Sequence, residues 1–183
     1  MQFEDISANY GLRKLELGDR VSTFDCGDED LNDFIINDAP LYREALLAMT
    51  YVLEDKKDGK VVAYFSVAND RISIKDFPNK TVFNRFRRAR FVNEKRLKSY
   101  PAIKICRLGI DRSVQGCHIG TFLVDFISTY FVTDNKSGCR FITVDAYAEA
   151  IPFYLKRDFV FLSAEDEGQR TRLMYFDLCD ISE

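Results

Sequence analysis

The part of this sequence best suited to chemistry is a glycine-containing turn between a strand-like and a helix-like stretch. The apolar run Ile103–Ile110 predicts a strand, and an apolar helical pattern extends from about Gly120 to Val132. When a strand is followed by a turn and then by the N-terminus of a helix, several backbone N–H groups point at one place. The positive end of the helix dipole lies there too. Glycine lets an anion approach the backbone closely. The pattern therefore indicates a phosphate site.

Two familiar phosphate-binding loops do not fit this stretch. A P-loop needs a lysine before its serine or threonine, whereas Thr121 directly follows Gly120. The dinucleotide pattern G-x-G-x-x-G fails because Gly109, Gly116 and Gly120 have the wrong spacing. On the glycines alone, a purely structural turn is as good an interpretation as phosphate binding.

The stretch resembles motif A of the GNAT superfamily of acetyltransferases, whose pattern is Gln/Arg-x-x-Gly-x-Gly/Ala. Gln115 and Gly120 match its first and last positions, and His118 stands in place of the middle glycine. The resemblance implies that acetyl-coenzyme A binds here, its pantetheine along the strand and its pyrophosphate on the loop. His118 implies either weaker binding or a direct phosphate contact by a protonated imidazole. The cofactor-binding residues implied are Leu108, Gly109, Ile110, Gln115, Gly116, Cys117, His118, Ile119, Gly120 and Thr121.

A second stretch, Ala150–Phe159, resembles motif B of the same superfamily, Ala-x-x-Phe-Tyr-x-x-x-Gly-Phe, with Asp158 in place of the glycine. The resemblance implies direct acetyl transfer in a ternary complex, with Tyr154 protonating the departing thiolate. A backbone N–H of residues 108–110 would polarise the thioester carbonyl. A tyrosine of ordinary pKa, about 10, stays protonated at neutral pH and can donate. Without the motif, Tyr154 would be interpreted as a packing residue.

The opening Phe24–Gly27, followed by an acidic amphipathic helix, resembles one branch of the superfamily. That branch includes toxins that acetylate the amino group of charged tRNA. The function expected is acetyl transfer to a primary amine, and the acceptor is a small molecule, a peptide or an aminoacyl-tRNA. A non-catalytic acyl-CoA-binding module is the alternative of another class, prompted by His118 and Asp158.

Positive charge is concentrated in one segment of a chain whose net charge is −3. Residues 80–107 carry ten basic side chains and one acidic, a net charge of +9. Arginines interleaved with aromatic rings can hold single-stranded RNA by neutralising phosphates and stacking on bases. A solvated basic face is the other interpretation. The residues that would contact RNA are Arg85, Arg87, Arg88 and Arg90.

The alternation of strand and helix patterns predicts an α/β fold, and the resemblance makes it one GNAT-like domain over residues 1–183. This fold has a mixed central sheet flanked by helices and a splayed strand pair that holds the cofactor. Residues 69–102 show no clean period and are predicted to be a long basic insertion. Pro40 should divide the first helical region in two. The other strands are predicted at Tyr10–Leu17, Thr50–Glu54, Val61–Ala68, Arg140–Val144, Phe159–Leu162 and Arg172–Leu178, and a short helix at Ile151–Arg157.

The composition argues against several other classes of protein and of site. The five cysteines are scattered and form no C-x-x-C pair, which argues against a disulfide framework or a zinc site, and no metal is expected. His118 is the only histidine, so a covalent mechanism through Cys106 or Cys117 has little support. No apolar run approaches the roughly 20 residues of a membrane span, and the N-terminus lacks signal-peptide features. The expected location is the cytoplasm, and a homodimer is left open.

Overall fold

The computed structural model describes residues 3–93, 96–133 and 138–181. It divides into two compact units. Unit 1 comprises the chain up to residue 68 together with residues 105–127, and unit 2 comprises residues 69–104 and 128 onward. The strands are β1 (Tyr10–Lys14), β2 (Met49–Asp55), β3 (Val61–Ser73), β4 (Ser99–Ile110), β5 (Phe141–Tyr147), β6 (Val160–Phe161) and β7 (Thr171–Asp177). The helices are α1 (Phe3–Asn9), α2 (Glu29–Asp33), α3 (Ala39–Glu44), α4 (Lys80–Arg90), α5 (Ile119–Thr133) and α6 (Ile151–Leu155).

The strands form one sheet in the hydrogen-bonded order β1-β2-β3-β4-β5-β7-β6. The pairs β1–β2, β2–β3, β5–β7 and β6–β7 are antiparallel. Strands β4 and β5 are parallel, because the Arg140 N–H donates to the Pro101 carbonyl at 2.9 Å and, further along both strands, Lys104 pairs with Asp145. The α5 crossover between them is the connection that parallel neighbours need. The mixed α/β sheet predicted from the sequence is confirmed.

Unit 1 is organised around β3, whose residues Val61–Val67 are all buried. A run of apolar residues without alternation is typical of a strand covered on both faces. Pro40 lies in the first turn of α3, and a π-helical turn, Phe34–Asp38, separates that helix from α2. The predicted division at Pro40 is therefore confirmed. The unit 1 core consists of Leu15, Val21, Phe24, Phe34, Ile35, Ala39, Val52, Val61 and Tyr64.

Unit 2 has a second core, to which the amphipathic helix α4 contributes. The Asn79 side chain caps this helix by accepting from the Val82 N–H at 3.0 Å. Its apolar residues Phe83 and Phe86 are buried, while its arginines lie at the other positions of the helix. The core residues are Ile72, Phe77, Phe83, Phe86, Tyr100, Ala102, Phe141, Leu162 and Tyr175.

The segment between β3 and β4 is shorter than the predicted 69–102. Strand β3 continues to Ser73, and β4 already begins at Ser99. The charged pair Asp70-Arg71 near the end of β3 and the exposed Pro101 in β4 hid these strand ends from the sequence pattern. The polar stretch at residues 134–138, which its composition predicts to be a loop, lies almost wholly outside the described residues. Among the helices that are described, none is long and apolar enough to cross a membrane.

Candidate active site

The turn after β4 is fixed by the carboxylate of Asp111, which is only 5% exposed. It accepts hydrogen bonds from the Asp25 N–H at 3.2 Å, from the Ser113 N–H at 3.1 Å and from the Ser113 hydroxyl at 2.5 Å. The Lys60 ammonium lies 3.2 Å away. The same carboxylate therefore connects the turn to the Phe24–Gly27 opening and to the β2–β3 hairpin. The sequence patterns did not identify Asp111 or Lys60 as part of this region.

Burial of Asp111 by itself favours the neutral acid, but the hydrogen bonds from Ser113, Asp25 and Lys60 outweigh it. Together they lower the pKa of Asp111 from 3.8 to about 2. Because the folded pKa is below the unfolded one, the stabilisation is fully present above about pH 4 and is lost as the pH falls towards 2. A shift of this size corresponds to about 2 kcal/mol.

We expect Asp111→Asn to lower the free energy of unfolding at pH 7 by about 2 kcal/mol, because the ionised acceptor is lost. Urea unfolding at several pH values measures this. The variant should also lose part of the stability change between pH 4 and 2. Glu149→Gln, at an exposed position, is the control and should leave both quantities unchanged. Equal stability of Asp111→Asn and the wild type at pH 7 would contradict the role of this carboxylate.

The Gln115 side chain points into unit 1. Its amide nitrogen donates to the Cys26 carbonyl at 2.9 Å and to the Ile110 carbonyl at 3.0 Å. The Arg112 N–H donates to the Asp25 carbonyl at 2.8 Å, so the two segments are joined at a second point. Gln115, the first motif position, thus holds the loop in place with its side chain. The Phe24–Gly27 opening belongs physically to the same loop system, a connection that sequence spacing does not show.

The loop itself is open to solvent where glycine stands. Gly116 has a φ of +78°, and a Cβ there would meet nothing within 4 Å. His118 has a φ of +65° and an exposed side chain, which explains why the family motif prefers glycine at this position. Helix α5 begins at the next residue, Ile119, so the N–H groups of its first turn have no acceptor earlier in the helix. These features suit a bound anion.

On β4, Gly109 is required by packing. A Cβ at this position would lie 2.5 Å from Cε1 of Tyr64 and 3.2 Å from Cε1 of Phe24. Both rings belong to the buried core, so they have no space to move. Leu108 and Ile110, on either side, are half-buried. The strand predicted to hold pantetheine is therefore held tightly against the core of unit 1.

In unit 2, Tyr154 lies in the short helix α6 and is 5% exposed. Its ring contacts those of Phe153 and Phe159, with centroids 5.1 and 5.2 Å away. Burial raises the pKa of the Tyr154 hydroxyl well above 10. No hydrogen-bond partner for this hydroxyl is found among the described residues. The group is protonated at neutral pH and has a proton to donate.

Asp158, the second departure from the family motifs, also adopts a left-handed conformation, with a φ of +62°. The chain turns here after α6, and the Phe159 N–H donates back to the Tyr154 carbonyl at 3.1 Å. Glycine is favoured in this conformation, and aspartate is among the residues that tolerate it best. The replacement therefore preserves the turn that follows Tyr154.

The four arginines of α4 divide into two pairs. Arg87 donates to the Arg96 and Leu97 carbonyls at 3.1 and 3.2 Å. Arg90 donates to the Tyr175 hydroxyl at 2.5 Å, lies 4.4 Å from the Phe86 ring centroid, and is 3.5 Å from the Asp177 carboxylate. Arg85 and Arg88 are exposed and pair with no described residue. Only this second pair is free to contact a ligand.

All five cysteines are free thiols. Within residues 3–93, 96–133 and 138–181, no group of three or more His, Cys, Asp or Glu side chains is arranged to hold a metal ion. The Cys26 thiol is partly buried, and this burial raises its pKa.

Comparison with known proteins places these observations in context. Residues 78–177 match the family model described as Acetyltransferase (GNAT) domain. A tRNA-acetylating toxin of Mycobacterium tuberculosis is 27% identical over 149 residues, which covers 80% of this chain and 82% of the toxin.

Solved structures show the same fold. AtaT complexed with acetyl-methionyl-tRNAfMet matches with a TM-score of 0.72 and 22% identity, covering 94% of this chain and 97% of that one. AtaTR bound with AcCoA matches with a TM-score of 0.73 and 22% identity, covering 94% of this chain and 95% of that one. At this level of identity the likeness concerns the fold.

Proposed function

Because this chain belongs to the GNAT acetyltransferase family, we propose that it transfers the acetyl group of acetyl-coenzyme A to the amine of an aminoacyl-tRNA. The observation that carries the proposal is the exposed Arg85 and Arg88 pair on a helix of an acetyltransferase whose curated relative is a tRNA-acetylating toxin. We propose that the 183 residues form one acyltransferase domain, in which the segment between β3 and β4, residues 74–98, is an insertion that serves the acceptor.

The residues of the loop fit acetyl-coenzyme A. Gly116 leaves its surroundings open, and the α5 first turn offers N–H groups without helical acceptors. The Gln115 side chain does not occupy this space, because its amide donates to the carbonyls of Cys26 and Ile110. The co-substrate supplies an activated acetyl thioester, and the loop would hold its pyrophosphate. A structure of AtaTR with AcCoA supports the same assignment by fold.

Two groups of the protein would act on the thioester, one at its carbonyl oxygen and one at its sulfur. A backbone N–H of Leu108–Ile110 would donate to the thioester oxygen as the amine nitrogen attacks the carbonyl carbon, an effect worth about 3–4 kcal/mol in other acyl transfers. The C–S bond then breaks, and Tyr154 would give its proton to the departing thiolate. The amine loses one proton to solvent, and solvent returns one proton to Tyr154. Tyr154 suits this role because burial keeps its hydroxyl protonated.

We expect Arg85→Ala/Arg88→Ala to weaken tRNA binding and to lower the slope of log affinity against log salt by about 1–2. The reason is that each exposed guanidinium would neutralise one phosphate. A mobility-shift titration with aminoacyl-tRNA at several salt concentrations measures this. Arg87 and Arg90 are left unchanged, because they bond within unit 2 and their removal would also disturb folding.

The matched control is Lys57→Ala/Lys156→Ala, which removes the same charge from exposed positions that do not belong to α4. It should leave the salt slope near that of the wild type. Absence of tRNA binding at low salt would remove the tRNA acceptor and leave a small amine or a peptide. Binding of acetyl-coenzyme A without transfer to any of these acceptors would instead favour a non-catalytic module.

A further inference from the structure

Two buried hydroxyl groups in unit 1 have no hydrogen-bond partner in the part of the chain that the structure describes. Thr50 of β2 and Ser66 of β3 are 1% and 0% exposed, and neither side-chain oxygen makes a hydrogen bond. The two residues are direct cross-strand neighbours, so their side chains share one face of the sheet. Since buried polar groups in native proteins are nearly always satisfied by protein groups or by other polar molecules, this adjacent pair without a protein partner indicates that a non-protein polar group completes its hydrogen bonds.

Arg107 lies on the same face and has an unused charge. Its guanidinium carbon is 5.2 Å from the Phe34 ring centroid, and one of its N–H groups donates to the Cys106 carbonyl at 2.8 Å. No carboxylate of a described residue forms an ion pair with it. By contrast, Arg43, Arg90 and Arg172, which are also partly buried, each pair with an acidic side chain, and Arg87 donates to two main-chain carbonyls.

The register of β3 and β4 places Arg107 beside Ser66. The Asp111 N–H donates to the Val62 carbonyl at 2.8 Å, and a Cβ on Gly109 would meet the Tyr64 ring. These contacts place Tyr64 of β3 opposite Gly109 of β4. Because the two strands are antiparallel, the next pair on the same face of the sheet is Ser66 opposite Arg107. The row Thr50, Ser66 and Arg107 therefore crosses three adjacent strands on the face covered by Phe34.

We propose that this row, Thr50, Ser66 and Arg107, binds an oxyanion carried by the acceptor and so positions its amine beside β4. The row offers hydroxyl donors and a guanidinium, a combination that suits a phosphate or carboxylate. Arg107 directly precedes Leu108, the first residue of the strand segment assigned to thioester activation. The inference rests on the proposed function for the identity of the acceptor, since both a phosphate of the RNA end and a carboxylate of a peptide fit this chemistry.

The site is tested first without catalysis, using inorganic sulfate as the probe at constant ionic strength. Calorimetric titration is run on the wild type with and without saturating coenzyme A, which blocks the loop phosphate site. We expect Arg107→Gln to raise the Kd for sulfate by at least about tenfold in the presence of coenzyme A, and Arg107→Lys to recover part of the loss. Ser66→Ala should weaken sulfate binding with little effect on folding. Equal sulfate binding by the wild type, Arg107→Gln and Ser66→Ala overturns the proposal.

The second measurement identifies the source of the oxyanion. Acetyl transfer is compared for aminoacyl-tRNA, a dipeptide with a free carboxylate, and the same dipeptide as its amide. Arg107→Gln should raise KM by at least about tenfold for the acceptor that carries the oxyanion, with Kd for acetyl-coenzyme A within about twofold of the wild type. A parallel loss of coenzyme A affinity would assign Arg107 to the cofactor and overturn the proposal. Absence of transfer by the wild type would refute the proposed function while the sulfate result still decides this site.

Discussion

Tyr154→Phe lowers kcat by about 10²–10⁴ while Kd for acetyl-coenzyme A stays near that of the wild type; this is the largest catalytic effect we expect. The change removes one hydroxyl and keeps the ring, whose contacts with Phe153 and Phe159 fix its position. Folding should therefore survive. Steady-state kinetics of thiol release, together with calorimetric titration of acetyl-coenzyme A, measure both quantities.

Tyr147→Phe is the matched control, since it removes a hydroxyl from a tyrosine of the same unit that is 39% exposed. Its kcat should equal that of the wild type. Because burial raises the pKa of Tyr154, its proton stays available as the pH rises from 7 to 10, and no loss of activity should follow from its ionisation in this range. Full activity of Tyr154→Phe would show that another group delivers the proton.

Gly120→Asp should raise the Kd for acetyl-coenzyme A on the order of 10³-fold, the second large effect. Gly120 lies in the first turn of α5, where the proposal places the pyrophosphate. Two like charges 4 Å apart repel by about 4 kcal/mol at the effective dielectric of a protein surface, and this energy corresponds to the stated factor. Calorimetric titration with acetyl-coenzyme A measures the change, and circular dichroism confirms the fold.

Two further variants separate charge from shape in this loop. Gly120→Ala adds a methyl group without charge and should weaken binding far less than the aspartate. His118→Gly relieves a left-handed residue and restores the family pattern, so affinity should be equal or better. A large loss in His118→Gly would show that the imidazole itself contacts phosphate. Unchanged affinity in a folded Gly120→Asp would contradict the loop assignment.

The two departures from the family motifs have one physical explanation. His118 and Asp158 replace glycines, and both adopt a positive φ, at +65° and +62°. The backbone conformation that the motifs require is thus kept, and the altered residue bears a conformational cost of about 1–2 kcal/mol at most. From the sequence, these replacements were grounds for a non-catalytic module. The conformations remove the steric part of that argument.

The sequence by itself determined the family and the order of the elements. The turn proposed to bind phosphate and the helix that carries Tyr154 are local patterns, since spacing along one strand or helix fixes which residues lie together. The mixed sheet, the helix after the turn and the division at Pro40 were predicted for this reason. The ends of β3 and β4 were not, because Asp70, Arg71 and Pro101 interrupt the apolar pattern where neighbouring strands supply the pairing.

Only the tertiary structure decided which side chains meet across the sheet. Asp111 joins three distant segments, and Arg107 lies under Phe34 with two unpartnered hydroxyls nearby on the same face. The tertiary structure also distinguishes the exposed Arg85 and Arg88 from Arg87 and Arg90, which bond within unit 2. All four contribute equally to the charge of residues 80–107. Contacts between residues far apart in the chain depend on strand register and burial, and a single sequence encodes neither locally.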